Sequence, residues 1–158
     1  MKKKVLFVCL GNICRSPSAE AVFNGLVNKA GLNHRFEVDS AGTIAVHSGE
    51  RADSRMRKHA QKRGYSLESI SRKVKPFIDF DYFDYIIAMD DQNYSDLVGM
   101  TLSDKHIDKI SKMTDYSKKY NYSEVPDPYY GGDQGFELVL DLLEDACEGL
   151  LDSISNDF

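Results

Sequence analysis

Apolar and polar positions follow two periods along this chain, and the alternation between them predicts the fold class. Residues 4–9 (KVLFVC) form a continuous apolar, β-rich run, as expected for a strand buried on both faces. After Ser16 the apolar residues recur at helical spacing as far as Ala30, and Gly31 follows as a helix stop. We expect this helix to begin with Ser16 as its N-cap and Pro17 at its first position.

The same two periods recur to the end of the chain. They predict strands at 35–41, 83–89 and 105–110, helices at 52–63, from about 91 and at 134–154, and a loop at 125–132 (VPDPYYGG). Strands that alternate with helices are typical of a parallel sheet with right-handed crossovers. The predicted fold is therefore an α/β three-layer sandwich, in which helices cover both faces of a four-stranded, twisted parallel sheet.

Length and charge narrow the class of protein. A chain of 158 residues suits one domain over residues 1–158. Its formal net charge of −5 argues against nucleic acid as a partner. No stretch approaches the roughly 20 apolar residues of a membrane span. Three cysteines, an odd number, indicate no disulfide framework and favour a reducing, cytoplasmic setting.

The candidate chemistry lies where the first strand meets the first helix. Ligands of such sheets bind beyond the carboxyl ends of the strands, which points to Cys9, Ser40 and Asp90. A turn that leads into a helix presents unpaired amide N–H groups, and these attract phosphate. Gly11 and Asn12 tolerate the positive φ that curls such a turn inward. Arg15, in a Cys-x5-Arg pattern, adds a planar fork for phosphate oxygens.

The same positive field favours the thiolate form of Cys9, which makes this residue a candidate nucleophile for phosphorus. Three other interpretations are weaker. A zinc site would need a second Cys or His pair, but the histidines are scattered. A nucleotide-binding loop would need a Gly-Lys-Ser/Thr ending, which this turn lacks. A cysteine that merely packs in the core is disfavoured by the Gly-Asn inside the turn and the Ser-Pro after it.

The stretch VLFVCLGNICRSPSAEAVF resembles the signature of the low molecular weight protein tyrosine phosphatases. VDSAGT (38–43), FDYIIAMD (83–90) and VPDPYYG (125–131) follow in that family's order and spacing. The resemblance implies a phosphocysteine intermediate and no metal or other cofactor. It also implies phosphotyrosine-containing proteins as partners, and inorganic phosphate or inhibitory oxyanions as ligands of the turn.

The resemblance assigns roles to residues of the turn and its surroundings. Cys9 would attack phosphorus, and Arg15 would bind the equatorial oxygens together with the turn amides. Asn12 would hold a left-handed turn that Ser40 supports, and Ser16 would donate its hydroxyl to the leaving thiolate. The residues that would bind phosphate are Leu10, Gly11, Asn12, Ile13, Cys14 and Arg15.

Further roles fall on the loop and the walls of the cleft. Asp127 would be the general acid that protonates the departing tyrosine oxygen. Tyr129 and Tyr130 would wall an aromatic slot, with Val46 on the opposite side where the family usually has an aromatic residue. Ser69 stands where the family often has a histidine that supports the turn, so the turn could be less rigid here.

The two other cysteines have different expected roles. Cys14 could form a disulfide with Cys9 under peroxide, or simply pack beneath the turn. Cys147 belongs to the apolar stripe of the last helix and is expected to be inert. Asp90 has either a supporting role or none.

Three other functions remain open. A protein arginine phosphatase has a similar turn with threonine where Ile13 stands, and apolar Ile13 favours tyrosine instead. A thiol-dependent arsenate reductase needs two further cysteines for its relay, and only Cys147 lies outside the turn. A silent phosphotyrosine-binding module would lack the acid, which this chain has in Asp127.

Overall fold

The computed structural model describes residues 1–129 and 131–157. Its strands are β1 (Lys3–Cys9), β2 (Phe36–Gly42), β3 (Tyr85–Ala88) and β4 (Ile110–Lys112). Its helices are α1 (Arg15–Lys29), α2 (Ser54–Lys62), α3 (Pro76–Tyr82), α4 (Asp91–Met100), the single turn α5 (Asp104–Ile107) and α6 (Gly132–Ser155), with 3-10 turns at Asn33–Arg35 and Met113–Tyr116. None of these helices is long and apolar enough to cross a membrane.

The four strands form one parallel sheet in the order β2-β1-β3-β4. Because β1 is internal, its residues from Val5 to Cys9 are buried, which accounts for the unbroken apolar run. This order places the carboxyl end of β1 between those of β2 and β3. The α/β prediction with a four-stranded parallel sheet is confirmed.

Alternate residues of β1 face two separate apolar layers. Val5, Phe7 and Cys9 pack into the layer formed with α1, α2 and α6. Leu6 and Val8 face the opposite layer, which contains residues of α3 and α4. Helices therefore cover both faces of the sheet, as predicted. The apolar stripe of α6 is buried in the first layer through Phe136, Val139, Leu140, Leu143, Cys147, Leu150 and Ile154.

The fourth strand is the element whose prediction was wrong. β4 occupies Ile110–Lys112, and most of the predicted 105–110 segment forms α5 and the link that follows it. His106 explains the shift, because its buried ring accepts a hydrogen bond from the Leu102 N–H at Nδ1 and pairs with Asp81 through Nε2. These contacts fix a helical turn in a segment that its residue pattern did not distinguish from a strand.

One helix boundary and one whole helix also differ from the sequence-based expectation. α1 begins at Arg15, with Cys14 as its cap residue, so Ser16 lies inside the first turn and is not the N-cap. Its hydroxyl is therefore available to the site. α3 was not predicted, and it starts at Pro76, a residue suited to the first helical position.

Candidate active site

The turn between β1 and α1 has its carbonyl groups turned outward. The carbonyl oxygens of Cys9, Leu10 and Ile13 accept the N–H groups of Thr43, Ile44 and Asp53. Those of Gly11 and Cys14 accept the hydroxyls of Ser71 and Ser18. In a trans peptide the next residue's N–H points opposite to the carbonyl. The N–H groups of five residues are therefore directed inward: Leu10, Gly11, Asn12, Cys14 and Arg15.

Asn12 sets the curvature of this turn. Its φ of 58° is the one positive value at a non-glycine position among the described residues. Its amide Nδ2 donates to Ser16 Oγ at 2.7 Å and to Ser40 Oγ at 3.0 Å. Its Oδ1 accepts the Arg72 N–H at 3.1 Å. Three hydrogen bonds on a side chain that is only 2% exposed hold the turn in place.

Two glycines allow close approaches around the turn. A Cβ on Gly42 would lie 2.6 Å from the Leu10 carbonyl oxygen, so β2 can support the turn only with glycine at its end. A Cβ on Gly11 would lie 2.9 Å from His47 Cδ2. Gly11 therefore provides space for the cleft wall, and its φ is not positive as the sequence suggested it could be.

Cys9 lies at the base of the turn, with its Sγ 3.0 Å from Ser16 Oγ. Because Ser16 Oγ already accepts a hydrogen from Asn12, its own proton is free to point elsewhere. The two acceptors within reach are Cys9 Sγ at 3.0 Å and the Ala41 carbonyl oxygen at 3.4 Å. The shorter contact allows Ser16 to donate to a Cys9 thiolate.

Arg15 is held rigidly at the back of the cavity. Its Nη1 donates to Asp90 Oδ2 at 2.7 Å and to the Val125 carbonyl at 3.1 Å. Burial by itself lowers the pKa of this guanidinium, but Cys9 and Asp90 more than offset it and hold the pKa above its ordinary value. Arg15 is therefore held in place as a cation, and its Nη2 can still donate hydrogen bonds to an anion.

Asp90 contributes more than its sequence position indicated. It is the N-cap of α4, with its side chain accepting the Asn93 N–H at 2.7 Å, and its other oxygen binds Arg15. Its place after β3, next to β1 in the sheet, was the available signal. The pairing itself depends on the strand order and could not be read from the chain.

Asp127 lies at the mouth of the cavity and is half exposed. Its Oδ1 accepts the Tyr129 N–H at 3.0 Å, and its Oδ2 is 4.0 Å from Arg15 Nη2. The Val125 N–H donates to the Met89 carbonyl at 2.9 Å, which ties the base of this loop to the end of β3. A carboxyl is thus placed at the cavity mouth, beside the second guanidinium nitrogen of Arg15.

The cavity above Cys9 has a volume of about 290 Å³ and an apolar rim. The Arg55 guanidinium lies 5.1 Å from the centre of the Tyr129 ring and 5.0 Å from that of Phe136, and so supports one wall. Tyr130 lies outside the described residues. The described lining residues are Cys9, Leu10, Gly11, Ile13, Cys14, Arg15, Ile44, His47, Asp127 and Tyr129.

Val46 does not line this cavity, contrary to the sequence-based assignment. Its side chain is 71% exposed, whereas the nearby Ile44 and His47 line the cavity. The cause is the outward-turning segment at 46–49, in which the Ser48 N–H donates to the Ala45 carbonyl. From this segment, an isoleucine and an imidazole therefore contribute to the cavity wall.

Ser40 and Ser69 both form hydrogen bonds with the side chain of Glu20. Ser40 Oγ donates to Glu20 Oε1 at 2.6 Å, and Ser69 also hydrogen-bonds this carboxyl. Burial raises the pKa of Glu20 above its ordinary value, against the lowering effect of the Ser40 hydrogen bond. Hydrogen bonds thus run without a break from Glu20 through Ser40 and Asn12 to Ser16, although serine stands at position 69.

The three cysteines are unpaired, and they occupy different environments. Cys14 lines the cavity, but burial raises the pKa of its thiol, and Asp53 and Cys9 raise it further. Cys147 is fully buried in α6, where burial again raises the pKa of the thiol. Among the residues the structure describes, no group of three His, Cys, Asp or Glu side chains could hold a metal ion.

A parallel α/β sheet with a thiol at the base of an inward-facing amide turn, and an arginine in the following helix, has the architecture of a cysteine-based phosphatase. Residues 4–158 match the family model described as low molecular weight phosphotyrosine protein phosphatase. This chain belongs to that family.

Relatives and solved structures agree with the assignment. A Synechocystis sp. relative is 47% identical over 154 residues, which is 98% of each chain. A crystal structure of protein tyrosine phosphatase from Entamoeba histolytica, with Hepes in the active site, is 49% identical with a TM-score of 0.96 and covers 99% of each chain. The drosophila arginine phosphatase structure is 34% identical, with a TM-score of 0.88 and 98% of each chain covered.

Proposed function

We propose that this chain hydrolyses phosphotyrosine and other aryl phosphate monoesters through a phosphocysteine on Cys9. The observation that carries the proposal is the outward set of carbonyls, because it directs five turn amides at the space above the Cys9 sulfur. Five N–H donors, the Arg15 cation and the helix dipole together complement the charge of a phosphate dianion. Their interactions with the equatorial oxygens become stronger in the transition state, as negative charge moves onto those oxygens.

In the first step the Cys9 thiolate attacks phosphorus and the bond from phosphorus to the tyrosine oxygen breaks. Asp127 gives its carboxyl proton to that oxygen, so tyrosine leaves as the neutral phenol. The position of Asp127 at the cavity mouth, with Oδ1 engaged by the Tyr129 N–H, leaves Oδ2 for the proton transfer.

In the second step water attacks the phosphocysteine, and the Asp127 carboxylate accepts a proton from it. The bond from sulfur to phosphorus breaks and the thiolate returns. Ser16 supports this step, since its proton is directed at Cys9 Sγ once Asn12 occupies its acceptor position. Inorganic phosphate then occupies the turn as the product, and related oxyanions would inhibit there. No cofactor enters either step.

The walls support an aryl substrate over a phosphoarginine. Ile13, Ile44 and Tyr129 give the cavity an apolar rim that suits a flat ring, whereas a guanidinium needs polar partners there. An arsenate reductase relay is disfavoured because Cys147 is buried and lies outside the cavity. Phosphotyrosine-containing proteins are the expected partners. Three unpaired cysteines support a reducing, cytoplasmic location.

The test is a Cys9→Ser variant assayed beside the wild type. Turnover of para-nitrophenyl phosphate and phosphotyrosine should vanish. Calorimetry should still detect phosphate binding, because most of the groups that bind phosphate are backbone N–H groups of the turn. Surviving turnover would exclude the covalent mechanism. A panel of phosphotyrosine, phosphoserine and phosphoarginine peptides, assayed with the wild type, should show the highest kcat/KM for phosphotyrosine. A preference for phosphoarginine would establish the alternative activity.

A further inference from the structure

A second groove lies beside the active cleft and is not used by the proposed reaction. It has a volume of about 560 Å³ and is lined by Ser48 and residues 71–78. Phe77 and Ile78 at its end are 81% and 58% exposed, unusually high fractions for large apolar side chains. Contiguous exposed apolar surface is a feature of many interaction sites, so this groove is a candidate binding surface.

The groove is built on a firmly attached segment. The Val74 N–H donates to the Gly42 carbonyl at 2.9 Å, and the Gly42 N–H donates to the Arg72 carbonyl at 2.8 Å. The carboxylate of Asp79, only 3% exposed, accepts the Arg72 guanidinium and the Lys75 N–H. The groove is therefore formed before any ligand arrives, which lowers the entropy lost on binding.

Hydrogen bonds join the same segment directly to the turn between β1 and α1. Ser71 Oγ donates to the Gly11 carbonyl at 2.9 Å, and the Arg72 N–H donates to Asn12 Oδ1 at 3.1 Å. His47 lines the active cleft while the next residue, Ser48, lines the groove. The cleft and the groove therefore adjoin at residues 47–48, so an extended chain bound in the cleft can reach the groove.

The charges along the groove favour a ligand of opposite, negative charge. Lys73 and Lys75 are exposed on it, and neither forms an ion pair within residues 1–129 and 131–157. Arg72, by contrast, is neutralised by Asp39 and Asp79. Two unpaired cations beside exposed apolar side chains complement a segment that is both acidic and apolar.

We propose that this groove binds the residues that flank phosphotyrosine in an extended substrate peptide, and that it favours peptides with acidic and apolar side chains there. The inference rests on the proposed phosphotyrosine activity, because the phosphate anchors the peptide in the cleft. Successive side chains of an extended peptide alternate in direction, so an apolar residue can enter the groove while an acidic neighbour meets a lysine.

A membrane surface fits these observations less well. Recognition of anionic lipid uses clusters of roughly four to eight basic residues, and this groove offers two unpaired lysines. The surface is also concave, as suits a peptide rather than a bilayer.

The experiment compares nine-residue phosphotyrosine peptides that carry Glu and Leu before the tyrosine, after it, or not at all. The wild type should show kcat/KM about tenfold higher for one Glu/Leu arrangement, given partial burial of one apolar side chain and one exposed ion pair. The double variant Phe77→Ser/Ile78→Ser and the variant Lys75→Glu should lose this preference. The ratio of peptide to para-nitrophenyl phosphate activity is the readout, so general damage cancels.

Matched controls and a rescue sharpen the test. Leu102→Ser and Lys105→Glu change an exposed leucine and lysine near α5 and should keep the preference. Lys75→Glu should instead prefer a peptide in which Lys replaces Glu, which a merely structural role would not produce. Loss of the preference in the controls, or no preference in the wild type, would overturn the proposal.

The remaining outcomes are also decisive. Binding of the same peptides to Cys9→Ser, measured by calorimetry, tests the groove even if the wild type fails to turn over phosphotyrosine, so the two proposals fail separately. If peptide preference is absent but Phe77→Ser/Ile78→Ser abolishes binding to phosphatidylglycerol vesicles, the groove is a membrane site. If it instead converts a dimer to a monomer in sedimentation, the groove is a contact between copies.

Discussion

The Arg15 guanidinium donates to the Asp90 carboxylate over 2.7 Å, although 75 residues separate the two along the chain. The contact joins the helix that follows β1 to the end of the neighbouring strand β3. The other Asp90 oxygen caps α4 through the Asn93 N–H. One carboxylate thus holds the Arg15 guanidinium in place and starts a helix.

Asp90→Asn separates these two tasks. The amide oxygen can still cap α4, but the charge that fixes Arg15 is lost. A hydrogen bond between charged groups is worth about 1.5–3 kcal/mol, so kcat/KM for aryl phosphates should fall about 10- to 100-fold. The unfolding midpoint should also fall, because the buried Arg15 guanidinium loses its charged partner. Asp90→Ala should lose about 1 kcal/mol of stability as well, through the missing cap. Full activity in Asp90→Asn would show that the turn alone positions Arg15.

Asp127→Asn tests the general acid. It preserves the acceptor for the Tyr129 N–H but cannot donate a proton. Phosphocysteine formation from phenyl phosphate should slow by about two or more orders of magnitude, and much less with an acidic phenol as leaving group. Single-turnover release is the measurement, because breakdown of the intermediate can limit steady-state rates. Equal slowing for both leaving groups would place the acid elsewhere.

Asn12 combines a left-handed backbone with three hydrogen bonds, and two substitutions distinguish these contributions. Asn12→Gly removes the hydrogen bonds and accepts φ of 58° without strain. Asn12→Ala removes them and adds about 1–2 kcal/mol of backbone strain. Both should weaken phosphate binding, with the alanine variant less stable in urea by that difference. Equal stability would mean that the turn relaxes to another conformation.

Cys14→Ser tests protection of the nucleophile. Peroxide should convert Cys9 to a sulfenic acid, and Cys14 can then displace water to form a disulfide that dithiothreitol reverses. Because burial first, and then Asp53 and Cys9, raise the pKa of Cys14, its thiolate is scarce near neutrality. The recovered fraction in the wild type should therefore rise between about pH 7 and 9, since the thiolate fraction grows about tenfold per pH unit.

Two cysteine variants serve as comparisons for that experiment. In Cys14→Ser no neighbouring thiol captures the Cys9 sulfenic acid, so excess peroxide should oxidise it further to the sulfinic acid and activity should be lost irreversibly at every pH. Cys147→Ser changes a buried thiol outside the cavity and should recover like the wild type. Equal recovery in all three proteins would leave Cys14 as a packing residue.

Glu137 gives a stability prediction with a defined sign. Its hydrogen bond from Arg63 is the main reason that its pKa lies below the ordinary value, and His59 lowers it further against burial. A depressed folded-state pKa stabilises the protein above the unfolded value of about 4.3 and loses that effect as the pH falls further. Glu137→Gln should therefore be less stable than the wild type at pH 7, with the gap closing towards about pH 3.

The size of that gap should be small, about 1 kcal/mol or less, because the Glu137 side chain is 41% exposed. Urea unfolding at several pH values measures it. In an Arg63→Met background the same Glu137→Gln change should have a weaker pH dependence, since the main partner is gone. An unchanged pH dependence in that background would mean that Arg63 is not the cause.

Local patterns predicted what depends on local physics. The apolar run before Cys9 predicted a buried parallel strand, since only an internal strand of such a sheet hides both faces. The same logic failed at 105–110, where the buried ring of His106 and its partner Asp81 decided for a helical turn. Competition between helix and strand in a short segment is settled by tertiary contacts that its own residues do not encode.

The sequence by itself determined the strand–turn–helix around Cys9, the positive φ at Asn12 and the family, because these depend on residue types at close spacing. Only the tertiary structure decided that Asp90 holds Arg15, that His47 and Ile44 rather than Val46 form the wall, and that Glu20 ends the chain of hydrogen bonds from the turn. Each of these joins residues from different elements. Their distances depend on strand order and on how the intervening loops turn, and neither is a local property of the chain.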